Sequence, residues 1–182
     1  MLLRALLALP DVGQVDAFAE PWRRLYSHST LVSTLVLFGH LGGLLAGGGL
    51  ALAADRATIR LNATDDVERE RHLDDLRRLR KPVGAAFVIA ALSGALLFFA
   101  DVEAFATSRI FWVKMTLIAL LLTNAAIVLR VESALREGPA RGPLESAEAA
   151  HLRLWRRRRT SAVVSVVLWL VLVLAGTALA SR

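Results

Sequence analysis

The chain has 182 residues, 55% of them hydrophobic, no cysteine and a formal net charge of +6, with a mean hydropathy of +0.52 and a pI near 11.1. That is too apolar for a soluble domain of this length, and the missing thiols exclude disulfides, thiolate metal sites, iron–sulfur clusters and cysteine nucleophiles. The basic residues flank apolar runs, so their partner is read as anionic lipid and not nucleic acid.

In chain order, the apolar opening at residues 1–9 is cut off by Pro10 and Asp11, too soon for a useful signal peptide. It reads as a short amphipathic helix lying in the membrane interface. Four later stretches reach the about 20 apolar residues that cross a hydrocarbon core of about 30 Å. They cover residues 30–54, stopped by Asp55-Arg56; 83–100, with Pro82 at the first turn; 110–129, holding one charge, Lys114; and 160–181. The expected fold is all-α: a single transmembrane domain over 1–182, an up-down-up-down four-helix bundle with cytoplasmic helical extensions. One extension is expected to start at Thr64-Asp65-Asp66 and stop at the basic residues 77–81. Another begins at Leu144, after the break at 138–143, and runs into the fourth span.

The first and third connections hold 16 of the 22 basic residues. Basic residues resist translocation, so both connections are placed in the cytoplasm and both termini outside it, in the periplasm or exterior. Trp22, Tyr26 and Trp112 at the outer boundary and Trp155 at the inner one fit aromatic belts. Arg156, Arg157, Arg158 and Arg159 beside Trp155 read as a clamp on anionic headgroups.

His40 lies about ten residues, roughly 15 Å, into the first span, at the bilayer midplane. An ionisable group there is a site candidate by default, and His40 is the metal-ligand candidate. The competing reading is a neutral imidazole bonded to a neighbouring helix, with Asn124 or Ser93 as the expected contact. Asn124 is expected to bridge helices, with Ser93 and Ser165 as partners; Asn124, Lys114 and Ser93 complete the ligand-binding candidates. Lys114 should snorkel outward or pair with Asp101 or Glu103. His28, His72 and His151 read as solvated. Gly39, Gly43 and Gly47 form a small-residue stripe, matched on the second span by Ala86, Ala90 and Gly94, which suits close helix packing. No nucleotide loop, HExxH, GxSxG or intramembrane carboxylate pair occurs in the sequence, and an enzyme is not the expected class.

His40-Leu-Gly-Gly43, Phe111-Trp112-Val113-Lys114, Asn124 and Leu168-Trp169 resemble small uncharacterised bacterial four-span membrane proteins, which in turn look like the copper-resistance D-type membrane domain. The resemblance implies copper handling, with His40 as the first-span histidine and Lys114 as the lysine heading the third. That group often has an arginine after the glycine of the last span, where this chain has Gly176-Thr177, and copper(I) favours sulfur, supplied here only by Met1 and Met115.

Three functions stand open at this point. One is the binding or moving of a small ligand, such as a copper ion, at His40. Another is a non-catalytic structural subunit that joins a membrane partner or a second copy of itself. The third is electron transfer by haem b, which normally wants two intramembrane axial ligands where only His40 lies deep enough.

Overall fold

The computed structural model describes residues 12–61, 66–137 and 144–180. The expected interfacial helix at 1–9, the start at Thr64-Asp65 and the break at 138–143 lie outside the described residues. Six helices account for nearly everything described: α1 (Val12–His28), α2 (Thr30–Arg60), α3 (Asp66–Ala100), α4 (Val102–Thr107), α5 (Arg109–Arg136) and α6 (Leu144–Ala180). No strand occurs among the described residues. Ser29, Asp101 and Ser108 cap α2, α4 and α5 by accepting from the backbone amides of Val32, Ala104 and Phe111, which supplies part of what a helix N-terminus otherwise leaves unbonded.

Helices α2, α3, α5 and α6 are each long and apolar enough to cross a membrane. Leu45 is 80% and Leu174 67% exposed; outward-facing leucines on every long helix call for lipid and not water as their surroundings. The helices run on past the apolar stretches. Asp55-Arg56 does not stop α2, which continues to Arg60, and α3 passes through Pro82 without a break. Proline removes one ladder bond, and a long helix packed on a neighbour can absorb that.

Two helix pairs, α2 with α3 and α5 with α6, make the closest contacts and meet along α2 and α6. Between α2 and α3 the glycine stripe is a true backbone approach at Gly43, where an added Cβ would lie 2.7 Å from the Ala86 carbonyl oxygen and 2.8 Å from the Ala90 nitrogen. At Gly47 it would lie 2.9 Å from the Phe87 ring, while at Gly39 it would meet only ordinary contacts. Gly48 gives α6 its place on α2, for the Trp169 ring lies 3.2 Å from the added Cβ, and Trp169 stacks on Phe87 with centroids 5.8 Å apart. α3 and α5 make little backbone contact. Side chains span that seam instead, including a Phe98–Phe111 stack with centroids 5.5 Å apart near the Trp112 end.

Beyond the apolar stretches, at the arginine-rich end, Leu73, Leu76, Val131, Leu135 and Trp155 form a buried cluster. Trp155 is therefore a core residue and not part of an aromatic belt; it donates its indole N–H to His151 Nε2 at 3.0 Å. At the other end α1 packs on α2, α3 and α4, and Trp22 donates to the Leu96 carbonyl at 2.8 Å.

Candidate ligand site and a buried charge network

His40 sits where α2 crosses α3. Its Nδ1 lies 2.8 Å from the Ala90 carbonyl oxygen; a carbonyl only accepts, so Nδ1 carries the proton and donates. Ser93 donates to the Ile89 carbonyl at 2.6 Å, and its oxygen lies 3.2 Å from the same Ala90 oxygen. The expected partners of His40, Asn124 and Ser93, are thus replaced by a backbone carbonyl, with Ser93 as its neighbour. Gly94 makes room for the ring, since a Cβ there would come within 2.9 Å of His40 Cε1. The small residue that looked like part of a helix-packing stripe is a seat for the imidazole.

This geometry fixes the tautomer. With the proton on Nδ1, Nε2 of the neutral ring is a lone-pair acceptor, and no hydrogen bond to it is made among the described residues. Lys114, across on α5, lies within electrostatic range of the ring. It forms no ion pair among the described residues: Asp101 instead caps α4 through the Ala104 amide at 3.1 Å. The expected pairing of Lys114 with Asp101 or Glu103 is not made. Asn124 is elsewhere, on the α5–α6 contact, where its amide donates to the Ser161 carbonyl at 3.0 Å. No hydrogen bond joins His40 to Lys114 among the described residues; Ser93 sits beside the Ala90 oxygen that holds His40, and Asn124 is a helix tie on the other pair.

The arginine-rich end holds a feature that reading the charges as runs does not reveal. Arg158, only 2% exposed, places Nε 3.1 Å from Glu132 and Nη1 3.3 Å from Asp55, while Arg80 reaches the other Glu132 oxygen at 3.1 Å. Ser165 lies beside the Asp55 carboxylate. Each of α2, α3, α5 and α6 thus gives one charged side chain to a network of two cations and two anions. Arg156, Arg157 and Arg159 are exposed as a headgroup clamp would be, but Arg158 points inward. Beside it His72, expected to be solvated, is buried with Nε2 2.9 Å from Thr58 Oγ1. That hydroxyl already donates to the Ala54 carbonyl, so His72 is the donor.

The helical period explains the inversion. Trp155, Arg158, Ala162, Ser165, Trp169 and Leu172 are all buried, spaced three or four apart on one face of α6. Arg158 lies on that face and its three arginine neighbours do not.

No protein-family model, no curated protein and no solved structure matches the chain. No group of three or more His, Cys, Asp or Glu residues able to hold a metal ion is found among the described residues.

Proposed function

We propose that the protein is a multi-pass protein of the bacterial inner membrane, with its four spans alternating in direction and both termini outside the cytoplasm, that binds or moves a small ligand at His40. The observation that carries this reading is the fixed tautomer of His40: Nδ1 is tied to Ala90 and Nε2 is left as a lone pair with no hydrogen-bond partner among the described residues. Imidazoles that serve as ligands are oriented in this way, by a hydrogen bond from the other ring nitrogen.

Lys114 narrows the ligand. An ammonium within electrostatic range of the ring, and without an ion pair among the described residues, opposes a bare cation and favours a molecule carrying an acceptor or acidic group. A copper ion would have to bring donors of its own, because His40 belongs to no group of three or more His, Cys, Asp or Glu residues among the described residues. A haem would find one axial ligand in His40 and need another from a second chain.

The test is a thermal-shift panel of metal ions, haem and small organic acids on detergent-purified protein, with metal analysis and an optical spectrum, for the wild type and for His40→Ala and His40→Gln. A species bound by the wild type should be lost from both variants while they remain folded. A folded His40→Ala protein with unchanged metal content, spectrum and ligand shifts would end the reading.

A second reading, a subunit of a larger membrane complex, is favoured by Gly42 and Gly49, one heptad apart on α2 with nothing among the described residues within 4 Å of an added Cβ. Its mark would be a Gly42→Leu protein of wild-type stability that no longer copurifies with its partner or with a second copy.

A further inference from the structure

The arginines at the basic end divide into two kinds. Arg158 and Arg80 are paired with Asp55 and Glu132, and Arg136 lies 3.4 Å from Asp74. Arg130 on α5 and Arg157 on α6 make no ion pair among the described residues, yet they line one groove between those helices together with Ile127, Val131, Ala134 and Leu154. Its volume is about 270 Å³, just under the roughly 300–1,000 Å³ of small-molecule sites and too small for a helix of another protein.

The groove's level follows from the helix register. Asn124 on α5 is bonded to Ser161 on α6. Arg130 lies six residues further along α5 and Arg157 four residues back along α6, about 9 Å and 6 Å toward the basic end. Both guanidiniums therefore stand where the apolar stretches give out, at the depth of lipid phosphates, while Ile127 lies one turn deeper. Two guanidiniums over an apolar floor, at that depth, are complementary to a phosphodiester with an acyl chain attached.

We infer that this groove is a binding site for one anionic phospholipid, whose phosphate is held between Arg130 and Arg157 and whose acyl chain starts down the membrane over Val131 and Ile127. The wider arginine run attracts an anionic surface loosely; this groove would retain a single molecule. Zwitterionic lipid presents the same phosphate with an ammonium attached, so its net attraction to the two arginines is weaker.

Native mass spectrometry of the full chain, released from nanodiscs of mixed phosphatidylglycerol and phosphatidylcholine, tests this. The wild type should retain one phosphatidylglycerol, and Arg130→Gln/Arg157→Gln should hold it about 25-fold more weakly, from roughly fivefold for each charge near the surface. Arg153→Gln/Arg159→Gln, which keeps the groove and removes the same charge, should retain it. Ala134→Trp, which fills the groove and keeps every charge, should lose it. Equal loss in the two arginine pairs would show diffuse surface charge and overturn the inference. So would equal retention of phosphatidylcholine, displacement by millimolar inorganic phosphate, or an Ala134→Trp protein that binds as before.

Discussion

Replacing Arg158 by methionine removes the central cation of the charge network and keeps most of the side chain's volume. Asp55 and Glu132 would then face each other across a site sealed from water, with only Arg80, whose side chain is 46% exposed, still bound to one of them. Breaking a buried pair by deleting one partner costs about 3–5 kcal/mol, because the remaining charge is neither solvated nor compensated. The loss should fall at that end, since Arg158 carries two of the network's three ion contacts. Thermal or denaturant unfolding in detergent measures it, with Arg156→Met as the control that removes an exposed arginine two residues away. Salt should scarcely alter the deficit, because a pair this buried is poorly screened. The triple variant Asp55→Leu/Glu132→Leu/Arg158→Met, which leaves only Arg80 to be solvated at the edge, should recover most of the lost stability. An Arg158→Met protein as stable as Arg156→Met would refute the argument that the network is buried and paired in the folded state.

Gly43→Ala should destabilise the bundle by about 1–3 kcal/mol, because the new methyl overlaps backbone atoms of α3 that cannot move aside; Gly42→Ala, with open space around it, should be neutral or better, and equal melting temperatures would show that α2 and α3 do not pack there. Reporter fusions at residues 1, 63, 103, 140 and 182 should read outside, inside, outside, inside and outside, as the 16 basic residues of the two long connections require; a cytoplasmic C-terminus would overturn that orientation.

The four long helices were legible because uncharged runs of this length have one cheap explanation, and the α2–α3 contact was legible because small residues recur every fourth position. What stayed hidden was the inside of the basic end. A segment dense in arginine and aspartate reads as solvated when its residues are taken in linear order, but a helix sorts them by direction. The three-and-four spacing from Ala162 to Leu172 was there to be extended backward through Arg158 to Trp155, and it would have turned Arg158 inward. The opposing acids carried a weaker signal: Asp55 and Glu132 each lie just past an uncharged run, where carboxylates are ordinarily taken as stops. The partner of His40 had no sequence signal at all, because every residue offers a carbonyl and only the crossing of α2 and α3 selects the one at Ala90. The helix α1 also went unforeseen: Pro21, which lies inside it, reads from sequence as a break.

A four-helix bundle in lipid faces a problem that water-soluble bundles do not. Leucine surfaces gain nothing by facing each other instead of acyl chains, so apolar contact alone selects neither the rotation of a helix nor its depth. This chain places directional contacts on each pair that must be aligned: His40 to the Ala90 carbonyl for α2 on α3, Asn124 to the Ser161 carbonyl for α5 on α6, and the Asp55–Arg158–Glu132–Arg80 network for all four. Each needs its donor within about 3 Å of its acceptor, and sliding a helix by one residue moves a group by about 1.5 Å while turning it by about 100°. Most wrong registers would therefore strand a buried polar group. Net stability need not be what the network supplies, because desolvation offsets much of the ion pairing. What it supplies is the cost of the alternatives, and the orientation of the His40 ring, tied to the Ala90 carbonyl across the α2–α3 crossing, depends on the register so fixed.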